Sequence, residues 1–219
     1  MPDPQLPDVG VLALVPDAYD VPWMSRHQIL SRLARYYPVL WLNPSRPWRQ
    51  VVARPRRPVA AGATRPAALP PGLDVYEPEP WLPTFFRPAW IERWTDTARL
   101  SIARRRLLRR GCRRILLYLW RPSFASAQDR VAHDASLYHL VDEYTFSDED
   151  LPVPDEEARL LRRADRVLIH SPGLWEKKGG FNRNSAQLPN GVDFEQVSRT
   201  RAEPDDLREI ARPRVGYCG

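Results

Sequence analysis

Two apolar segments that each end in polar residues constrain this chain more than any other feature of its sequence. The first, residues 137–141, is followed by Asp142 and Glu143, and the second, residues 166–170, is followed by Ser171. Short apolar runs of this kind are typical of strands that are buried on both faces of a parallel sheet. Residues just past the carboxyl ends of such strands line the ligand crevice, so these three polar residues are the first candidates for chemistry.

The same alternation of apolar runs and helical patterns recurs along the chain. Strands are predicted over residues 9–15, 39–42, 73–76, 113–120, 137–141, 166–170 and 186–188. Helices are predicted after a cap at Ser25, from about Trp90 to a stop at Gly111, near residues 124–132, over 155–163, and from Pro172 after a cap at Ser171. Repeated strand, helix, strand units imply an α/β fold with a doubly wound, mainly parallel, Rossmann-like sheet. No GxGxxG motif follows the first strand, so the dinucleotide-binding fingerprint is absent.

Composition narrows the class of protein further. With 219 residues and 43% apolar content, the chain can bury one good core. The cysteines, Cys112 and Cys218, match no metal-ligand spacing and give no disulfide framework, so a reducing, cytoplasmic setting is predicted. His133, His139 and His170 do not have the spacing of a metal site, and the last two are expected to lie in strands. Neither a metal nor an organic cofactor is predicted.

Positive charge is concentrated in one part of the chain. The net charge is +6, and eight arginines lie between Arg99 and Arg114. Such a density favours an anionic partner, such as phospholipid, nucleic acid or a phosphorylated substrate, and the alternative is an ordinary solvated helix face. Residues 46–72, which are rich in proline, arginine and alanine, are expected to form an extended loop.

Four segments together resemble a known family. They are RHQILSRLARYYPVLWLNP (26–44), SLYHLVDEYTFSD (136–148), EEARLLRRADRVLIHSPGLWEKK (156–178), and LPNGVD (188–193) followed by PRVGYCG (213–219). In this order and at these separations they resemble the amino-terminal half of a GT-B glycosyltransferase. The likeness is to family-four retaining enzymes, in particular to bacterial sugar transferases of exopolysaccharide or teichuronic-acid-type synthesis, and it covers nearly the whole chain.

The resemblance implies how the chain is divided. Residues 1–195 would form the acceptor-side Rossmann-like domain, 196–212 a connector, and 213–219 the first strand and glycine loop of a donor domain. The backbone at Gly216 and Gly219 would approach the donor diphosphate. The basic residues that clamp this diphosphate in the family, and its paired glutamates, have no counterparts here. The chain is therefore expected to be truncated, an acceptor-binding half that transfers no sugar by itself.

The resemblance also assigns roles at the strand ends. Asp142 takes the position of a polar cleft residue that is often histidine in relatives, where a carboxylate could orient the acceptor hydroxyl or accept its proton during attack on the anomeric carbon. Its alternative role is a helix cap or a partner for a nearby arginine. Glu143 and Tyr144 are expected to contact the acceptor as part of the cleft wall.

A second group of acceptor contacts is expected after the first strand, at Trp23, Arg26 and His27. The planar guanidinium of Arg26 could hold a phosphate or a uronic carboxylate through two parallel hydrogen bonds. His27 could instead face solvent, and Trp23 could be an ordinary packing partner of the adjacent proline.

The expected partners follow from the same resemblance. They are a nucleotide sugar and a glycan or lipid-linked acceptor, met at the cytoplasmic face of a membrane. An anionic membrane surface could contact Trp90, Trp94, Arg104, Arg105 and Arg106, which makes the protein a candidate peripheral membrane protein. The alternative function is a non-catalytic module that binds an anionic ligand, either nucleic acid or a membrane, and nucleic acid would be the most natural ligand of such a module. For the transferase itself no nucleic acid is expected, because the sequence has no recognised nucleic-acid-binding motif.

Overall fold

The computed structural model describes residues 4–54, 69–144, 152–192, 194–199, 202–203, 205–208 and 210–215. The chain divides into two compact units, Met1–Pro189 and Asn190–Gly219. The first unit contains the sheet and its helices, and the second contains two short helices.

The first unit is built on one parallel sheet of seven strands. The strands are β1 (Val9–Leu14), β2 (Val39–Leu42), β3 (Leu73–Tyr76), β4 (Arg114–Leu119), β5 (Ala135–Leu140), β6 (Arg166–Ile169) and β7 (Ser185–Gln187). Their order is β3-β2-β1-β4-β5-β6-β7, and every neighbouring pair is parallel. The predicted doubly wound, Rossmann-like fold is therefore confirmed, with β2 and β3 at the predicted bounds.

The strands form because their side chains are apolar on both faces. In β1, Leu12 and Leu14 belong to one buried cluster, and Val11 and Ala13 belong to another on the opposite face. Such double burial explains why β1 is a continuous apolar run instead of an alternating one. It also fits the position of β1 inside the sheet, between β2 and β4.

Helices connect the strands. They are α1 (Ser25–Leu33), α2 (Trp48–Ala53), α3 (Ala89–Arg109), α4 (Ala127–Arg130), α5 (Asp155–Arg163) and α6 (Pro172–Lys178). The prediction that Ser25 caps α1 is wrong, because α1 begins at Ser25 and its cap is Met24. Residues 46–72 were predicted to be only an extended loop, yet α2 lies there, while residues 55–68 are outside the described part.

Helix α3 is the longest element and fixes one side of the site described below. Its Leu100, Ala103 and Leu107 are buried in the same cluster as Leu12. It ends where predicted, since Gly111 follows with a φ of +92°, a left-handed conformation that glycine adopts without a Cβ penalty.

The second unit contains α7 (Phe194–Val197) and α8 (Asp205–Arg208). Pro213, Arg214 and Val215 are the described part of the predicted strand 213–219, and no strand is formed there. Gly216 and Gly219, the predicted donor-binding glycines, lie outside the described residues. Among the helices that the structure describes, none combines the length and the hydropathy needed to cross a bilayer.

Candidate functional site

The candidate site lies where the chain changes direction across the sheet. From β1 the chain moves to β2 and β3 on one side, and after β3 it crosses to β4 on the other side of β1. The carboxyl ends of β1 and β4 therefore lie next to each other, with connections that leave in opposite directions. In open α/β sheets the crevice outside such a switch point is where ligands bind.

A cavity of about 510 Å³ lies at this switch point. Its apolar part is formed by Leu14, Val15, Leu42, Leu100 and Phe124. Its neutral polar part is formed by Asn43, Ser45, Thr84, Ser123 and Ser126. The lining therefore combines the ends of β1 and β2 with α3 and the segment after β4. The volume is within the range of small-molecule sites.

An ion-pair group of Asp96, Arg99 and Arg130 lines the cavity, together with the charged residues Glu92 and Glu156. The guanidinium of Arg99 is buried and donates to the carbonyl oxygens of Leu82 (3.0 Å) and Pro83 (3.1 Å). It also pairs with Asp96 (3.2 Å), whose other carboxylate oxygen pairs with Arg130. Asp96 thus bridges two arginines, and these contacts hold the side chains in place before any ligand arrives.

A second group of charged residues flanks the same strand ends. Asp17, three residues past β1, forms an ion pair with Arg26 of α1. Burial lowers the pKa of Arg26, Asp17 opposes this effect, and Arg121, Tyr144 and Asp142 are close enough to contribute. Residues from the ends of β1, β4 and β5 are therefore brought together here, as the sequence predicted for Arg26 and Asp142.

The position of Asp142 fits a role in the crevice. It is exposed, lies two residues past β5, and makes no hydrogen bond or ion pair with any described residue. It caps no described helix, since α5 begins at Asp155. Neighbouring Tyr144 donates its hydroxyl to the carbonyl oxygen of Trp120 (3.0 Å), which fixes the segment after β5 against the end of β4. Burial, with the nearby Asp142 carboxylate, raises the pKa of Tyr144 to about 12.

Glu143 belongs to a buried ion-pair network. Its carboxylate accepts from Nζ of Lys178 (3.0 Å) and lies 3.4 Å from Nζ of Lys177. Lys178 is fully buried and also donates to both oxygens of buried Glu157 (2.9 and 3.0 Å). Tyr138 donates to the same carboxylate at 3.2 Å. These contacts anchor the segment after β5, and because the side chain of Glu143 is still 33% exposed, its contact with an acceptor stays a prediction.

His27 lies beneath the predicted acceptor loop, not on its surface. It is fully buried, so the alternative that it faces solvent is wrong. Its Nδ1 accepts from the backbone N–H of Met24 (3.1 Å), which leaves Nε2 to donate to the carbonyl oxygen of Tyr19 (3.1 Å). Burial lowers its pKa, which favours the neutral ring. With both nitrogens occupied, His27 holds the loop in position and has no donor or acceptor left for a ligand.

Trp23 remains a candidate for ligand contact. Its side chain is 40% exposed, and its ring stacks on His27 with centroids 5.0 Å apart. The buried imidazole thus orients an indole that has one accessible side. Arg26 is less available than predicted, because Asp17 occupies part of its guanidinium, although its buried Nε has no hydrogen-bond partner.

Three residues at this edge were not among the predicted site residues. Arg121 is exposed, directly follows buried Trp120, and forms no ion pair with a described residue. Nε1 of Trp120 and Nε2 of His139 are buried without hydrogen-bond partners, and the two rings lie 4.4 Å apart. Arg121 follows β4 much as Asp142 follows β5, so the rule used for the later strands could have found it. The orphaned nitrogens leave no signal in the sequence.

The remaining predicted features are local. Ser171 accepts from the backbone N–H of Leu174 (3.4 Å) and caps α6, which explains this residue without catalysis. His139 lies in β5 as expected, whereas His170 follows β6 instead of lying in it. Within the described ranges, no group of three or more histidine, cysteine or acidic side chains could hold a metal ion.

The arginine cluster is largely engaged within the fold. Besides Arg99, four of its arginines contact described groups: Arg104 with the carbonyl oxygen of Ala132, Arg106 with Glu79, Arg110 with the carbonyl oxygen of Gly72, and Arg114 with Asp8. Arg105, Arg109 and Arg113 are exposed. A solvated helix face therefore describes only part of the cluster, because Arg99 is buried and four further arginines contact described groups of the fold.

Compared with known proteins, the chain matches no protein-family model and no curated protein. The likeness to GT-B glycosyltransferases therefore remains a proposal, which rests on the four sequence segments and on the arrangement of residues at the carboxyl edge of the sheet.

Proposed function

We propose that this chain forms the acceptor-binding half of a glycosyltransferase that transfers a sugar from a nucleotide-diphosphate sugar to a glycan or a lipid-linked acceptor. The observation that carries the proposal is the cavity at the switch point between β1 and β4. Its lining combines apolar side chains with hydroxyl, amide and charged groups. A sugar has C–H surfaces that suit the apolar side chains and hydroxyl groups that suit the polar ones.

The charged group on the other side of the strand ends supports the same function. Past β1, Val15 lines the cavity and Asp17 joins the charged group; past β4, Ser123 lines the cavity and Arg121 joins the charged group. The cavity and the charged group therefore both lie beside the carboxyl ends of β1 and β4. In this proposal the cavity holds the acceptor, and arginine and indole groups beside it hold an anionic or ring-shaped part of the ligand.

Asp142 is the proposed general base. A base must reach the proton that it removes, and an exposed carboxylate that has no partner among the described residues suits this role. In the proposed reaction Asp142 accepts the proton of the acceptor hydroxyl as its oxygen bonds to the anomeric carbon. The bond from that carbon to the nucleotide diphosphate breaks, and the diphosphate leaves with the electron pair.

A nucleic-acid-binding module is less well supported. Three of the eight arginines that would attract nucleic acid, Arg99, Arg106 and Arg114, pair with carboxylates of the fold, which reduces the local positive charge. Among the described residues, four of the eight exposed large aromatic side chains lie near the start of α3, and none of the eight lies in a strand, where a stacking platform would be expected.

Saccharide binding in the cavity can be tested by saturation-transfer NMR with methyl glycosides of a hexose, an N-acetylhexosamine and a hexuronate. We expect a saturation-transfer signal for at least one glycoside. The Ser123→Trp variant should lose this signal, because Ser123 is an exposed residue of the cavity lining and a large side chain there would enter the cavity. Glu176→Trp, an exposed position on α6 away from the cavity, is the matched control. Absence of saturation for all three glycosides, or equal saturation in both variants, contradicts the proposal.

A further inference from the structure

Four large aromatic side chains near the start of α3 are exposed. The exposed fractions are 67% for Trp81, 68% for Phe86, 69% for Trp90 and 61% for Trp94. Exposure to water costs more free energy for large aromatic side chains than for smaller apolar ones, and clusters of them on a surface mark interaction sites. All four lie within residues 81–94, so the start of α3 and the segment before it carry much exposed aromatic area.

Helix geometry separates this surface from the cavity. Trp90 and Trp94 are four residues apart and therefore lie on one face of α3. Glu92 and Asp96, each two positions further along, are about 200° away around the helix and line the cavity. The same two turns of α3 thus bound the cavity on one side and present the tryptophans on the other.

The charges beside the aromatics are positive. Arg87 and Arg93 are exposed within the same stretch and form no ion pair with a described residue. Two of the three arginines that were predicted to face a membrane are instead engaged by groups of the fold. Nε of Arg104 donates to the carbonyl oxygen of Ala132 (2.9 Å), and the guanidinium of Arg106 lies over the ring of Tyr76 (4.2 Å).

We propose that Trp81, Phe86, Trp90 and Trp94, with Arg87 and Arg93, form a docking surface for a bilayer that contains anionic phospholipid. Indole rings are favoured at the depth of the lipid headgroups, where one end of the ring is apolar and the N–H is hydrated. Arginine side chains in the same plane reach the lipid phosphates. This charge complementarity selects anionic lipid over neutral lipid. We call these six residues the aromatic docking surface.

Docking in this way would place the cavity about one helix diameter, ~10 Å, from the bilayer surface. If the proposed transferase function holds, the acceptor is then a saccharide carried on a lipid, since its sugar can reach the cavity while its chain stays in the membrane. This extension rests on the proposed function, whereas the docking surface does not.

Co-sedimentation with vesicles tests the docking surface. The full chain is mixed at low salt with phosphatidylcholine vesicles, with or without phosphatidylglycerol. We expect binding to the vesicles that contain phosphatidylglycerol, weakened about tenfold or more in Trp90→Ala/Trp94→Ala and about fivefold in Arg93→Gln. These positions are exposed, so the variants are expected to fold, and circular dichroism checks that they do.

Two matched controls make the result specific. Arg109→Gln removes the same charge from an exposed position at the other end of α3, and Tyr36→Ala removes an exposed aromatic ring elsewhere; both should bind as the parent does.

No binding to the anionic vesicles, or equal binding by Trp90→Ala/Trp94→Ala, overturns the proposal. Self-association without vesicles that the tryptophan substitutions abolish would overturn it in favour of a second copy of the chain. Oligonucleotide binding with the same dependence on these residues would overturn it in favour of nucleic acid. Glycoside saturation is measured separately, so either proposal can fail without the other.

Discussion

Replacing Lys178 by methionine should destabilise the protein more than any surface substitution of the same kind. Lys178 is fully buried, and its ammonium group contacts both carboxylate oxygens of Glu157 and one of Glu143 at 2.9 to 3.0 Å. Without it, Glu157 is a buried carboxylate whose remaining described contact is the hydroxyl of Tyr138. Breaking a buried pair from one side costs about 3–5 kcal/mol, because the other charge stays buried without compensation.

The adjacent lysine is the matched control for this prediction. Lys177 is only partly buried and lies 3.4 Å from Glu143, so Lys177→Met should cost no more than about 1 kcal/mol. Adding Glu157→Leu to Lys178→Met removes the orphaned carboxylate. It should restore at least about 1 kcal/mol, which would appear as a coupling energy in a double-mutant cycle.

The free energy of unfolding can be measured for each variant by urea denaturation followed by tryptophan fluorescence. A cost for Lys178→Met equal to that for Lys177→Met would refute the buried-charge argument. Strictly additive effects of Lys178→Met and Glu157→Leu would refute it as well.

Three further predictions concern the sheet and its edge. Burial, and to a lesser degree His170, lowers the pKa of His139 from 6.5 to about 4. As the pH falls, the unfolded chain therefore binds a proton at His139 before the folded chain does, and the free energy of unfolding should fall by up to about 3 kcal/mol between pH 6.5 and pH 4. Urea denaturation across this range should show a weaker pH dependence of the free energy of unfolding for His139→Phe. An unchanged pH dependence in this variant would contradict the lowered pKa. Gly72→Ala should lower the stability of the fold more than Gly111→Ala does. Both glycines have a positive φ, but only at Gly72 would the new Cβ clash, with the carbonyl oxygen of Ala34. Thermal melts of the two variants compare the losses, and equal losses would argue against the clash. Asp142→Asn should change the unfolding free energy by less than about 0.5 kcal/mol, because its exposed carboxylate has no described partner; a larger loss in urea denaturation would assign Asp142 a structural role.

The strands could be predicted from the sequence because their physical cause is local. A strand buried on both faces must be apolar throughout, and the runs at residues 39–42 and 73–76 correspond to β2 and β3. The cap of α6 was also predictable, because Ser171 is followed by a proline in the first helical position.

The candidate site could be predicted only in part, because its contacts join distant segments. The cavity is lined by Ser45, Thr84 and Ser123, which nothing in the local sequence brings together. His27 was expected at a ligand or in solvent, but the loop after β1 folds back so that Tyr19 and Met24 occupy both ring nitrogens. Such backbone contacts have no signature in residue type or spacing.

The local density of arginines in the sequence also did not show which of them are available to a ligand. An arginine that bonds carbonyl oxygens, as Arg99 does, contributes to net charge in the same way as exposed Arg105. Only the positions of neighbouring backbone groups distinguish the two. For the proposed membrane contact, the sequence suggested Arg104, Arg105 and Arg106, but in the fold Arg104 contacts the carbonyl oxygen of Ala132 and Arg106 lies over the ring of Tyr76.

We propose that the crevice between the ends of β1 and β4 binds the saccharide acceptor. Backbone amide chemical-shift mapping can locate the binding site, using the methyl glycoside that gives the strongest saturation transfer. We expect the largest shifts at Ser45, Thr84, Ser123 and Ser126, which line the cavity. Shifts that cluster instead at the amino-terminal ends of the strands, or within Asn190–Gly219, would contradict it.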